Sequence, residues 1–519
     1  MFTLRGKSQL LFPFVLGLSL FVLLLLVAQA PSERSAALQV GGTPEPVAYL
    51  PLILRQDQKP PVTPTPVTPT PPPVEPGAPW IEQGTITIPS YQYDHPDCLV
   101  TLPSDHIAYP YPGINHDCVF QKPMIDRSFN AVTLHNSYVA VTVLPALGGR
   151  LYRWQDKVTG RQLLYANPVL KPTAWGWRGW WLASGGIEWA FPTDEHGLNE
   201  YRPWDHTMEV LSDTVSITVS DVEDQTGMTV GVTITLDADH TFMTLDPFVL
   251  NNTAVSHNYQ YWLNAMIALG DNTTNDQTEF IVPATQVQVH SRDAGATYLP
   301  EAGQWMNWPE HNGRFFNIYG TWDHYLGFFA PTLNAGFTGV YDHTAQQGIV
   351  RVFDQAQMPG SKYFGPANLG SGLWTNDDSV YVEMWSSGVT PDFWTYVPLA
   401  AGQSKTWTER WYPVSSLGTI DVANESGALR LDETSGGAEI GLQVTAVTSG
   451  TLSLLVDGIP TASWPGPFLP EQPLDLVWER PAMSGSTVSR LPQGPAGVEG
   501  PIGIQLLDEQ NQVLLQFPP

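Results

Sequence analysis

The sequence predicts an all-β protein, with one large sandwich or barrel over residues 80–415 and a smaller β-sandwich over 416–519. Three observations lead there. Short apolar-alternating runs recur along the chain, separated by Gly, Pro, Asn and Asp. Several keep a clean period of two, as in MTVGVTITLDA (228–238) and SVYVEMWSS (379–387), the pattern of a strand with one face in a core. No amphipathic stretch is long enough for a helix of three turns, and 519 residues exceed one ordinary domain.

The first 30 residues read as an export signal. Arg5 and Lys7 precede an apolar run, Leu10–Val27, and Ala28-Gln29-Ala30 gives the small-x-small cleavage pattern. The run is also long enough, at about 18 residues, to stay uncleaved as a membrane anchor. Either outcome places the rest of the chain outside the cytoplasm, at the cell surface or beyond it. Residues 31–79 are irregular, with an apolar patch at Tyr49–Leu54 and a Pro/Thr-rich segment from Lys59 to Pro79. Proline at that density favours extended polyproline II, so about 20 residues would act as a spacer of roughly 60 Å.

Strand signals begin after Trp80: Thr85–Ile88, Tyr138–Leu144, Val215–Ser220, Thr229–Leu236 and Phe242–Leu250, then Tyr325–Ala330, Gly348–Phe353, Ser379–Ser386 and Lys405–Tyr412. Beyond Ser416 come Glu439–Val447, Thr451–Val456 and Ile502–Phe517, with turns at Asp457-Gly458 and Asp508-Glu509. The only two cysteines, Cys98 and Cys118, suit one disulfide in an exported chain, worth about 3 kcal/mol on the chain-entropy model.

Charge narrows the function. Fifty acidic against 23 basic residues give a net charge of −27, which opposes phosphate backbones and anionic lipid, so no nucleic-acid partner is expected. Membrane contact is expected only through an uncleaved anchor. No nucleotide, zincin or serine-hydrolase fingerprint is present, and no cofactor or metal is implied. The acidic cluster Asp271–Glu279 matches no calcium loop and reads as a surface turn.

The 19 tryptophans are the more telling count. Six of them, Trp175, Trp177, Trp180, Trp181, Trp189 and Trp204, fall within residues 173–206 together with Arg178, Glu188, His196 and His206. Gly176, Gly179, Gly185 and Gly186 break any helix there and suit turns beside a cleft. Indole faces stack on pyranose rings while Arg, Glu and His bond hydroxyls; a Trp-rich core layer is the alternative. In Ser379–Ser386, alternation places Tyr381, Glu383 and Trp385 on one face, a carboxylate between aromatics that could serve as a general base. In YQYWLNAMIA (259–268), Trp262, Asn264 and Met266 share a face.

Taken together, VTVLPALGGRLYRWQDKVTGRQLLYANPVLKP (141–172), GWRGWWLASGGIEWAFPTDEHG (176–197), YWLNAMIA (261–268) and VYVEMWSSGVTPDFWTYVPLAAGQSKTWTERWYPV (380–414) form an ordered set. It resembles a bacterial domain of uncharacterised function in the galactose-mutarotase-like superfamily, over residues 135–414. The resemblance implies a large antiparallel β-supersandwich. It also implies aldose 1-epimerase-like chemistry, in which a glutamate takes the anomeric proton and a histidine protonates the ring oxygen. Glu383 is then the expected base and His196 the expected acid, with His206 and then His257 as further candidates. Arg150, Arg178, Trp181, Glu188, Trp189, Asn264, Tyr381 and Trp385 are the expected sugar contacts. The family's Asn-His pair is displaced here, where residues 254–264 read AVSHNYQYWLN.

Three readings follow: an exported epimerase-like enzyme; a glycoside hydrolase or polysaccharide lyase using Glu188 with Glu383 as paired carboxylates; or a non-catalytic cell-surface glycan-binding protein. All three have a carbohydrate partner.

Overall fold

A computed structural model describes residues 77–480 and 500–518 of the protein. The export signal, the apolar patch and nearly all of the Pro/Thr-rich segment lie outside the described residues. Where alternation is strict, burial follows it: in Thr214–Val222 the inward Val215, Ile217 and Val219 are fully buried, and in Thr229–Asp237 Val230, Val232, Ile234 and Leu236 are. The outward faces of these two strands pair through polar groups, such as Thr218 Oγ1 and Thr233 Oγ1 at 2.8 Å.

Two large sheets result, one of 13 strands and one of nine. A single apolar cluster fills the space between them, drawing Val141, Ile187, Leu263 and Met384 from the first and Ile217, Val232, Leu245 and Trp411 from the second. The chain is therefore an all-β supersandwich, all-β as its alternation predicts and a supersandwich as the resemblance implies. The middle of the larger sheet runs, neighbour to neighbour, Leu326–Phe329, Gly360–Gly365, Val382–Ser387, Trp262–Ile267, Ile187–Ala190, Arg150–Asp156 and Val139–Leu144. The only α-helix among the described residues is one short turn, His116–Gln121, beside the Cys98–Cys118 disulfide.

Two sequence-based boundaries differ from the structure. The run Lys405–Tyr412 is two strands, Ser404–Thr406 and Glu409–Ser415, both paired to Met243–Leu250. The strand expected at Ser379 begins only at Val382, because Ser379 caps the turn before it, its backbone N–H and hydroxyl both directed at Asp377 Oδ1.

Beyond residue 421 two four-stranded sheets enclose a second core around Leu429, Ile440, Leu442, Leu452, Leu454, Ile504 and Leu506. Asp457-Gly458 joins Gly450–Val456 to Ile459–Pro465 with both residues at positive φ, 52° and 73°, the geometry of a two-residue hairpin turn. A third cluster (Phe242, Tyr341, Tyr412, Val414, Leu417, Ile420, Ala428) welds the outer face of the nine-stranded sheet to this smaller sandwich. Within it the Tyr412 hydroxyl donates to the carbonyls of Asn424 and Gly427 at 3.0 and 2.8 Å.

Candidate active site

The site grows from a row of residues in register across four strands of the larger sheet. Lys362 lies opposite Trp385, Trp385 opposite Asn264, and Asn264 opposite Glu188. Residues directly opposite in antiparallel strands share a face, so all four project away from the inter-sheet core. One step along, Glu383 lies between Phe364 and Met266 in the same way. The alternate residues Val382, Met384, Leu263, Ala265, Ile187 and Trp189 fill the core on the other side. Each strand thus carries packing on one face and chemistry on the other.

Glu188 reaches this face because Gly185 and Gly186, at φ 79° and 74°, turn the chain sharply between Trp181–Gly185 and Ile187–Ala190. A Cβ on either would lie 2.2 Å from the Tyr165 carbonyl oxygen or 2.4 Å from that of Leu151, so only glycine fits. The Glu188 carboxylate is buried and accepts five hydrogen bonds. Arg150 Nη1 and Nη2 (each 3.2 Å) and Trp181 Nε1 (3.0 Å) donate to Oε2, while His196 Nδ1 (2.5 Å) and Asn264 Nδ2 (3.1 Å) meet Oε1. Burial by itself would raise its pKa, but the His196 contact and the Arg150 charge outweigh that and hold the carboxyl at about 2.

His196 arrives on a tight loop. Glu195, His196 and Gly197 are all at positive φ, 45°, 70° and 57°, a conformation costing about 1–2 kcal/mol for each non-glycine residue. The loop folds the imidazole back flat on Trp181, with ring centres 3.9 Å apart, and into its bond with Glu188. With Nδ1 so engaged, Nε2 is the ring nitrogen left for a ligand.

His196 lines a cavity of ≈ 240 Å³ together with Glu383, Trp181, Tyr381 and Trp385. Trp374, Trp175, Tyr325 and Phe364 complete its aromatic wall, and Glu195, His290 and Lys362 add charge or polarity. Glu383 Oε2 accepts from Trp385 Nε1 at 2.7 Å and lies 3.7 Å from Lys362 Nζ. The Lys362 ammonium sits against the rings of Trp385 (4.2 Å) and Phe393 (5.0 Å), and burial lowers its pKa against the pull of Glu383. Burial likewise takes the His290 imidazole down to about 3, aided by Lys362. Next to His196, burial and then the charge of Glu195 push Asp194 up to about 7, opposed by hydrogen bonds that include one from Tyr396.

Of the residues named from sequence, the structure brings Glu383, His196, Trp181, Tyr381 and Trp385 to one cavity. Arg150, Glu188 and Asn264 stand behind it, holding His196 and Trp181 through Glu188. Three expectations need correction. Trp189 points into the inter-sheet core, donating Nε1 to the Gly149 carbonyl at 2.9 Å, because it is adjacent to Glu188 on a strand and faces the opposite way. Arg178 is locked elsewhere by a two-pronged pair with Glu200, both bonds 2.9 Å, under the rings of Trp180 and Tyr201. The reserve histidines are also elsewhere: His206 is exposed on the edge strand Asp205–Val210, and His257 contacts Thr253 Oγ1 at 3.0 Å. The Asp271–Glu279 segment is only partly a surface turn: Asn275 Oδ1 accepts from Gln277 N, but Asn272 exchanges bonds with the distant Ala166 backbone, and Thr278–Ile281 is a buried strand in which Glu279 accepts from Asn317 Nδ2.

Lys362, His290, Glu195 and Asp194 escaped the sequence reading. A lysine inside the glycine-flanked aromatic run GSKYFG was a usable signal for the first, in a chain with so few basic residues.

The family model of a domain of unknown function, DUF5107, matches residues 105–414, more than half of the chain. The chain belongs to the DUF5107 family. Among solved structures, this DUF5107 protein is similar to a TPR-domain containing protein from Parabacteroides distasonis at 21% identity and a TM-score of 0.57. That match covers 65% of this chain but spans only 55% of the Parabacteroides protein, so what is shared is the fold of one part of it. Lower overlaps occur with a putative aldose 1-epimerase from Klebsiella pneumoniae (12% identity, TM-score 0.41, 64% of this chain and 92% of that one). A galactose mutarotase-like protein from Lactobacillus casei gives 11% identity, TM-score 0.38, and 55% and 100% coverage.

Proposed function

We propose that the domain binds a carbohydrate in the Trp-lined cavity and interconverts the anomers of its reducing sugar by acid–base catalysis. The observation that carries this reading is the Glu188–His196 contact at 2.5 Å, made behind a cavity that both His196 and Glu383 line. A buried, ionised carboxylate on Nδ1 fixes the ring and assigns proton exchange to Nε2.

In the proposed cycle Glu383 takes the proton from the anomeric hydroxyl while His196 Nε2 delivers one to the ring oxygen. The bond from C1 to the ring oxygen breaks and the open-chain aldehyde forms. Rotation about C1–C2 presents the other carbonyl face, and as the ring closes Glu383 gives its proton to the new anomeric oxygen while His196 Nε2 takes back the proton on the attacking ring hydroxyl. No atom is gained or lost. Trp181, Tyr381 and Trp385 supply flat surfaces for the sugar's C–H faces.

The paired-carboxylate alternative is less well supported. Glu188, the proposed partner of Glu383, does not line the cavity, and both its oxygens are taken by donors. Action outside the cytoplasm is part of the proposal; the basic-then-apolar stretch Arg5–Ala30 and the Cys98–Cys118 disulfide support it.

Freshly dissolved α-aldoses followed by polarimetry and NMR test the proposal with the full chain. The wild type is expected to accelerate anomerisation, and Glu383→Gln to abolish it while sugar affinity stays within about tenfold. Unchanged kinetics in Glu383→Gln would refute the assignment of the base. Sugar binding without anomerisation by the wild type would leave a glycan-binding protein.

A further inference from the structure

Most of the tryptophans of this fold are hidden. Of 19 tryptophans, only Trp175, Trp305 and Trp394 count among the large apolar side chains left exposed. Two of these three stand at the cavity. Trp175, 42% exposed, forms part of its wall. Trp394, 52% exposed, has its ring 6.1 Å from that of the cavity residue His290 and 5.3 Å from Phe329.

Neither indole is left out by a loose segment. Asp392 Oδ1 accepts from the backbone N–H groups of Trp394 and Thr395 at 2.9 and 2.8 Å, which fixes the turn that carries Trp394. Two residues on, the Tyr396 hydroxyl donates to Asp194 at 3.4 Å, tying this turn to the loop that carries His196. Trp175 precedes Gly176, whose φ of 86° turns the chain toward the strand starting at Trp181. Two apolar plates are thus held in water beside a cavity of ≈ 240 Å³, which has room for little more than one pyranose ring. The half-exposed Glu195 and the hydroxyl-bearing Ser291 and Tyr325 share that cavity and offer hydrogen bonds at its polar edge.

We propose that the site takes the reducing-end residue of an oligosaccharide into the cavity, with the preceding rings of that chain stacked on Trp175 and Trp394. The direction of entry rests on the anomerisation reading above, because only the reducing-end ring has an anomeric hydroxyl for Glu383. The length dependence does not rest on it.

Calorimetric titration of the full chain separates the two. The probes are glucose, mannose, xylose and galactose, and the di-, tri- and tetrasaccharides of the cello, manno, xylo and β-1,4-galacto series. At least one series is expected to bind about tenfold more tightly as a trisaccharide than as its monosaccharide. Trp394→Ala, outside the cavity lining, should remove most of that gain while leaving the monosaccharide Kd within about twofold, and Trp175→Ala, in the cavity wall, should weaken the trisaccharide more than the monosaccharide. Borohydride-reduced chains, which lack the closed terminal ring, should lose affinity. A flat dependence on length in every series, or a gain that survives both variants, overturns the proposal. Equal binding of reduced chains overturns the direction of entry. Length-dependent binding without anomerisation supports the platform while removing the epimerase reading; anomerised monosaccharides without a length effect do the reverse.

Discussion

Lys362 and Glu383 form a buried pair, with Nζ 3.7 Å from Oε2, inside the aromatic wall of the cavity. The two residues sit on neighbouring strands, two residues apart in register and so on one face, since Lys362 is opposite Trp385 and Glu383 is opposite Phe364. The expected base of the reaction therefore has a cation beside it that no local sequence signal announces. Glu195, Asp194 and His290 also surround Lys362.

Replacing Lys362 by Met removes the ammonium 3.7 Å from Glu383 Oε2. A fall in kcat of about tenfold is expected, with KM changed less. Lys362→Arg should restore most of kcat. Equal kcat in Lys362→Met and wild type would show that Lys362 only packs.

Glu188 predicts a distinct acid response. Its carboxyl, though pushed up by burial, is held at about 2 by His196 and Arg150, below the 4.5 of an ordinary glutamate. A depressed carboxyl stabilises the fold above its unfolded value and loses that contribution as pH falls toward its folded value. Wild-type stability should drop between pH 4.5 and about 2. Glu188→Gln, which leaves Arg150 buried without its carboxylate, should be less stable at pH 7 by about 3 kcal/mol and flatter below pH 4.5. Urea unfolding across pH measures both.

Asp194 works in the opposite sense. Burial, and then Glu195, raise its carboxyl from 3.8 to about 7. A raised carboxyl favours the fold fully below its unfolded value, and that benefit is lost as pH climbs through its folded value. Asp194→Asn should therefore match wild type near pH 3.8 and be the more stable above pH 7, by about 4 kcal/mol. Wild type outlasting the variant at pH 8 in the same unfolding series would contradict the assignment.

The Cys98–Cys118 bond closes a loop of 20 residues next to the short helix His116–Gln121. Cys118→Ser is expected to cost about 3 kcal/mol of stability by the loop-entropy model. Intact-mass analysis should show the wild type gaining two hydrogens on reduction and the variant none.

Strand alternation made the fold and one wall of the site readable. The run from Tyr381 to Trp385 displays its chemistry on every second residue, so Glu383 and its two aromatic neighbours could be assigned to one face from sequence alone. The same logic, applied to Ile187–Ala190, separates Glu188 from Trp189, yet a tryptophan among so many others looked like part of a sugar platform. Lys362 and His290 were hidden for another reason. They reach the cavity through strand order, and the sequence does not state that Gly360–Gly365 pairs with Val382–Ser387 or that Gln286–Arg292 lies two strands from Gly360–Gly365. Arg178 misled because its partner Glu200 is brought close by a loop rather than by any periodic spacing.

The two-faced strands also govern how this protein can diverge. Tyr381, Glu383 and Trp385 can be exchanged for other side chains without disturbing Val382 and Met384, so ligand preference can drift while the scaffold stays intact. A single inserted or deleted codon within Val382–Ser387 has the contrary effect: it would turn the carboxylate into the hydrocarbon interior and Met384 toward the ligand. Lineages of this domain should therefore tolerate substitution along that strand and keep its length fixed.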